Sequence, residues 1–222
     1  MLAQRLESVR DGIKTACATA GRPADEITLI VVTKFHPVST MRELYALGVR
    51  DFGENRHQEA ERKAEELMDL EKRIHFIGQL QSNKAVAVRR YADVVHSVDR
   101  PGLVAALGKA STQKLDCFLQ LNLTDDPGRG GVVPGDLGAL AELAAATPSL
   151  RVRGVMAVAP LETDPREAFA RVRESSEFLR TIIAEATEIS AGMSHDYVHA
   201  IAEGATHLRI GTAITGERPP AS

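Results

Sequence analysis

The chain has 222 residues and a formal net charge of -3, with 44% apolar residues, 4% aromatics and no tryptophan. That balance excludes the concentrated basic face that nucleic-acid binding needs, and the few aromatics leave no base-stacking platform. The apolar content suits a substantial core, and no apolar run reaches membrane-spanning length.

The first predicted element is a helix over residues 1–22, charged from its fifth residue and so unlike a signal peptide. Cys17 and Cys117 are far apart, lack metal-ligand spacing and read as free thiols in a reducing, cytoplasmic setting. Strand-like and helical runs then alternate. ITLIVVT leads into Lys34 and a helix over 39–47, with Ser39 as its start signal and Gly48 at its end. RDFGEN ends on Glu54 and Asn55 before a helix over 57–70, and RIHFIG ends on Gly78 before a helix over 83–91. DVVHSV carries Ser97 and precedes a helix over 101–111; LDCFLQLNL ends near Asn122. The loop TDDPGRGGVVPGD separates it from a helix over 134–146. LRVRGVMAV carries Met156 and precedes a long helix over 165–186. ISAGM, with RDFGEN one of the two weakest strands, leads to Ser194 and a helix over 195–203 closed by Gly204; THLRIGT and a tail over 217–222 complete the chain.

This alternation predicts an α/β protein with parallel strands. Eight β/α units in a chain slightly under the usual ~250 residues point to a closed TIM-type (β/α)8 barrel, taken as one domain over 1–222. An open doubly wound sheet is the alternative, and requires RDFGEN or ISAGM not to be a strand.

Barrel chemistry gathers at the C-terminal ends of strands. Of the seven lysines, only Lys34 caps an apolar β-branched run; Lys14, Lys63, Lys72, Lys84, Lys109 and Lys114 do not. Strand alternation that turns Lys34 inward also turns Val32, Ile30 and Thr28 inward. Low-dielectric walls around such an amine would favour its neutral form and Schiff-base chemistry; the plainer alternative is a surface lysine closing a strand. The loops SAGMSHD and RIGTAITG occupy the last two units, where barrels often bind phosphate, and offer Gly192, Gly211, Ser194 and Thr212. An aldehyde-binding lysine beside phosphate donors matches pyridoxal 5'-phosphate. Arg209, facing inward, could donate to the pyridine nitrogen and weaken the ring as an electron sink; alternatively it bridges the barrel floor to a carboxylate. Ser97 and Asn122 read as turn formers, and EAERKAEE and RVRESSEF as solvated helix faces, with the Glu59–Lys63 pair worth a few tenths of a kcal/mol.

The stretches VVTK, DFGEN, HFIGQLQSNK, VHSVDR, RGVMAVAP, SAGMSHD and HLRIGTAITG resemble the pyridoxal phosphate homeostasis protein family from about residue 27 to 216. The resemblance implies an alanine-racemase-like barrel holding pyridoxal phosphate as a Schiff base on Lys34. It implies phosphate contacts at Ser194, Gly211 and Thr212, a pyridine partner in Arg209, and pocket positions at Asn55 and Met156. Thr33, Arg56 and Arg129 depart from the residues expected in those motifs.

Racemisation needs acid/base groups on both faces of the cofactor. Racemases resembling this fold take the second from a tyrosine of a separate domain on a partner subunit, which is not expected here. Of Tyr45, Tyr91 and Tyr197, only Tyr197 is expected near the mouth. The expectation is therefore a cytoplasmic, monomeric carrier that buffers or delivers the cofactor to PLP-dependent apo-enzymes, without robust catalysis and without membrane or nucleic-acid partners. The alternatives are a weak one-domain racemase or decarboxylase of fold type III and, further off, a Schiff-base aldolase for a phosphorylated sugar. His195 and His199 have i,i+4 metal-ligand spacing but no third ligand, so no metal is expected. No catalytic role is assigned to His36, His57, His75, His96 or His207.

Overall fold

β-branched runs too short to be helices must share their backbone hydrogen bonds with neighbours, and here they do so around a complete ring. The computed structural model describes residues 1–217 except 110, 125 and 161, so the tail beyond residue 217 lies outside the described residues. After α1 (Leu2–Thr19) come β1 (Thr28–Val32), α2 (Val38–Ala46), β2 (Asp51–Glu54), α3 (His57–Glu66), β3 (Arg73–Phe76), α4 (Ala85–Val88) and β4 (Val94–Val98). The second half runs α5 (Pro101–Lys109), β5 (Leu115–Gln120), α6 (Leu137–Ala145), β6 (Leu150–Met156), α7 (Pro165–Ile182), β7 (Glu188–Ser190), α8 (Tyr197–Ala202), β8 (His207–Ile210) and α9 (Thr212–Thr215).

The eight strands pair in chain order and close as a barrel. β1 is parallel to both β2 and β8, in register from Thr28 opposite His207 to Val31 opposite Ile210, which excludes the open sheet. The weak runs RDFGEN and ISAGM both contribute strands, β2 and the short β7.

Element ends differ from expectation for local reasons. α2 begins at Val38, behind Pro37 with its φ of -71°, so Ser39 lies inside the helix and caps nothing. α8 begins at Tyr197, because the Asp196 carboxylate accepts the Met193 N–H at 2.6 Å and holds residues 193–196 in a turn. Gly48 and Gly204 do end helices, at φ of +86° and +96°, where a β-carbon would be strained.

Period-two alternation divides the strands into two faces. Val31, Phe52, Phe76, Val95, Leu119, Val155 and Leu208 pack outward with the helices in one continuous core. Inside the barrel, Val94, Phe118 and Met156 form a small apolar cluster, with Ile30 of β1 also buried. Most of the remaining interior is polar and buried: His75, His96, Ser190, His207 and Arg209. Such barrels are usually filled by branched apolar side chains, so this polar filling needs its own account. Outside the ring, α1 packs on α8 and α9. Among the described residues no helix is long and apolar enough to cross a membrane.

Candidate functional site at the barrel mouth

Lys34 lies in the turn just beyond β1, and its side chain is exposed. The low-dielectric walls expected around it are absent, because the backbone leaves the strand at Thr33 before the lysine can be enclosed. What the structure provides instead is a clamp on both neighbours of Lys34. The Thr33 hydroxyl donates to Glu54 Oε1 at 2.6 Å, and the Thr33 carbonyl accepts from Lys63 Nζ at 2.8 Å. On the other side the Phe35 N–H donates to Glu59 Oε1 at 2.6 Å. Phe35 has φ of +68°, a left-handed conformation that costs about 1–3 kcal/mol for a residue with a side chain, so the turn needs such fastening. Lys63 closes the cluster at 2.8 Å from Glu54 Oε1 and 2.7 Å from Glu59 Oε1.

Lys63 is fully buried, so the solvated face expected for the Glu59–Lys63 pair is not what forms. Helix α3 turns that face onto the ends of β1 and β2, where the lysine meets carboxylates from both directions. Burial raises the Glu54 carboxyl above its ordinary value, opposed by the Lys63 charge and by hydrogen bonds from Lys63 and Thr33. Burial, and then the charge of Lys63, lower nearby His36.

Arg209 projects into the barrel from β8, level with Ile30 of β1. It is 5% exposed, and burial pushes its guanidinium down to about 10, still a cation at neutral pH. Nη2 donates to the carbonyl of Ala157, the first residue past β6, at 2.8 Å, and Nη1 to Ser190 Oγ at 2.6 Å. Two of the five guanidinium N–H donors are thereby engaged, leaving capacity for a ligand acceptor. Among the described residues Arg209 makes no direct bridge to a floor carboxylate; it reaches toward the floor through other side chains.

At the rim the loop after β7 meets the start of α9. Thr212 Oγ1 and the Ala213 N–H both donate to Ser194 Oγ at 3.4 Å. A β-carbon on Gly211 would stand 3.4 Å from Val32 Cβ, so this backbone lies close against the top of β1. Met156 ends β6 inside the barrel, and half-buried Asn55 follows β2. A β-carbon on Gly78 would sit 2.1 Å from the Asn55 carbonyl oxygen, so glycine is required there. Lys34, Asn55, Met156, Ser194, Gly211 and Thr212 all lie at or beyond the strands' C-terminal ends, and the Arg209 guanidinium reaches toward that same end.

Several expectations fail. The Tyr197 hydroxyl is directed at α1, so close that a β-carbon on Gly12 would lie 2.3 Å from it; α8 faces it outward, away from the mouth. Ser97 lies within β4 rather than in a turn, and its buried hydroxyl has no partner among the described residues. His195 precedes α8 instead of sharing its face with His199. Among the described residues no group of His, Cys, Asp and Glu could hold a metal ion. Asn122 does form a turn, accepting the Thr124 N–H at 2.9 Å. Three of the histidines left without a role, His75, His96 and His207, gather in the barrel interior. Alternation along RIHFIG, DVVHSV and THLRIGT places them inward, a signal that was available in the sequence.

Residues 5–219 match the family model described as alanine racemase, N-terminal domain. A pyridoxal phosphate homeostasis protein of Corynebacterium glutamicum is 42% identical over 208 residues, covering 89% of this chain and 93% of that protein. One from Pseudomonas aeruginosa is 41% identical over 98% of this chain and 96% of its own length. The structure of PipY from Synechococcus elongatus with PLP bound superposes with a TM-score of 0.83 at 35% identity, covering 97% of this chain and 100% of that one.

Proposed function

The chain belongs to the pyridoxal phosphate homeostasis protein family, on a barrel of the alanine racemase N-terminal type, and from that membership we propose a carrier of pyridoxal 5'-phosphate that holds the cofactor covalently through Lys34. The observation that carries the proposal is the gathering of an exposed lysine, a buried arginine with free donors and a hydroxyl-and-amide rim at one barrel end. The residues fit the group. Lys34 offers an amine with no partner among the described residues, Arg209 spare N–H donors for a ring nitrogen, and Ser194, Gly211 and Thr212 a rim for a phosphate.

When bound, the cofactor supplies an aldehyde for attachment and a ring that can delocalise electrons. The chain's own residues hold and orient. The Thr33 and Phe35 contacts fix the turn so that the Lys34 amine is presented from a set direction. With its charge kept at neutral pH, the Arg209 guanidinium would hold the ring nitrogen of a bound cofactor unprotonated, which suits retention over turnover. All three tyrosines support the same reading. The Tyr197 hydroxyl lies against α1, the Tyr91 hydroxyl is 3.2 Å from His57 Nδ1, and the Tyr45 ring lies under Arg50. No tyrosine is placed to serve as a second acid or base at the mouth. Delivery to PLP-dependent apo-enzymes, in a monomeric and cytoplasmic state, completes the proposal.

The test is near-visible absorbance before and after borohydride, with peptide mapping of the reduced adduct. A yellow protein labelled at Lys34, whose Lys34→Ala variant carries no adduct, is expected. A colourless protein that takes up no added pyridoxal phosphate, or an adduct surviving in Lys34→Ala, overturns the assignment. Deuterium exchange at the α-carbon of amino acids in heavy water would overturn the carrier reading in favour of an enzyme.

A further inference from the structure

Beneath Arg209 a run of buried side chains crosses the barrel interior to its floor. Ser190 Oγ, which accepts from Arg209, is 2.9 Å from His96 Nδ1. His96 Nε2 is 2.9 Å from His75 Nδ1, and His75 Nε2 is 2.9 Å from Asp51 Oδ1. Ser190, His96 and His75 are each wholly buried, so water is not on hand to complete their hydrogen bonds.

The donors and acceptors of this run can be assigned from its two ends. The guanidinium can only donate, so Ser190 Oγ accepts and has one hydrogen left to give. Its remaining partner is His96 Nδ1, which must then be a bare acceptor. His96 carries its hydrogen on Nε2 and donates it to His75 Nδ1. His75 in turn carries its hydrogen on Nε2 and donates it to the Asp51 carboxylate. Every other assignment leaves the buried Ser190 hydroxyl hydrogen without an acceptor, and most also place an imidazolium or a neutral Asp51 in the run.

We propose that Asp51, His75, His96 and Ser190 are positioning residues for Arg209, forming a one-way hydrogen-bond chain that ties its guanidinium to a floor carboxylate across the barrel. The chain turns what would be an isolated buried cation into one end of a relayed ion pair, with both histidines held neutral. It fixes the plane of the guanidinium, and therefore which N–H donors face the mouth. This deepens the carrier reading, resting on it only for what Arg209 faces. Around the run stand Arg73, 3.9 Å from Asp51, and His207, beside His96; burial, with the charges of Arg73 and Arg153, lowers His207 to about 3 and leaves it neutral. Arg73 is half exposed at the floor, so Asp51 is shared between a solvated cation and the interior chain.

Nitrogen-15 NMR of the imidazoles tests this on cofactor-free protein at neutral pH, independently of whether Lys34 binds anything. The expected spectrum shows His75 and His96 each as a single neutral form protonated at Nε2. In Asp51→Asn the terminal anion is lost, and His96, two links away, is expected to pass to a mixture of neutral forms. Ser190→Ala probes the same chain from its other end, with the loss of the donor to His96 Nδ1 read as a shift of that nitrogen. His96 protonated at Nδ1, His75 as an imidazolium, or a His96 signal unmoved by Asp51→Asn would each overturn the chain. A spectrum as expected from a protein that fails the borohydride test would leave the chain standing and the cofactor reading refuted.

Discussion

Two buried polar networks serve the two ends of the site, and they solve the same problem differently. The one under Lys34 lies between the barrel wall and α3 and is built from full charges, with Lys63 between Glu54 and Glu59. The one under Arg209 lies inside the barrel and places neutral groups between a cation and an anion. The first fastens backbone, through the Thr33 carbonyl and the Phe35 N–H; the second fastens a side chain. A charge cluster grips a turn strongly but fails badly when one member is lost, because the uncompensated partners stay buried. A relay of neutral groups loses less with any one member, since what remains unsatisfied is a single hydrogen bond.

Lys63→Met should therefore have the largest effect. It leaves two carboxylates facing each other without a cation, at a cost of about 3–5 kcal/mol in urea unfolding. Adding Glu54→Gln should recover part of that loss; no recovery would show that the cluster acts by shape rather than charge. The pH dependence follows from Glu54, whose carboxyl is raised by burial and loses its opposing charge in Lys63→Met. A carboxyl raised in the folded state favours folding at low pH and loses that contribution as pH rises through its folded value. The Lys63→Met deficit should accordingly be smallest in acid and grow with pH.

Asp51→Asn should cost less, about 1–3 kcal/mol, the range for weakening one charge-assisted hydrogen bond. Partial burial works to raise Asp51, but the hydrogen bond from His75 and the nearby charge of Arg73 hold its carboxyl below the ordinary value. A carboxyl lowered in the folded state contributes stability above its unfolded value and loses it as pH falls through the folded one. Thermal unfolding of the unaltered protein should show that acid decline, and Asp51→Asn should lack its share. If Asp51→Asn proved costlier than Lys63→Met, the contrast between charge cluster and neutral relay would collapse.

Lys34→Ala should have the smallest effect on stability, within about 0.5 kcal/mol, because the side chain is exposed and has no partner among the described residues. A larger loss would mean that Lys34 is part of the clamp rather than its cargo.

Much of the fold was legible from the chain alone. The eight strand-like runs, with turns and helical periods between them, specify strands and helices locally. Their number, together with short connections, specifies a barrel in which strand ends share a rim. Lys34, Asn55, Ser194 and Thr212 could be placed on that rim because a strand's direction is fixed by its sequence. What a helix face meets is not a local property. Glu59 and Lys63, at i,i+4, look the same in sequence whether the face is wet or covered, and only the packing of α3 against the ends of β1 and β2 buried Lys63 and partly covered Glu59. The exposure of Lys34 was also decided in three dimensions, by a backbone that leaves β1 one residue early. The interior chain lay between these cases. Period-two alternation put His75, His96, Ser190 and Arg209 on the inward face, but which of them meet depends on the stagger between strands. Only closure of the barrel brought groups from β2, β3, β4, β7 and β8 into one line.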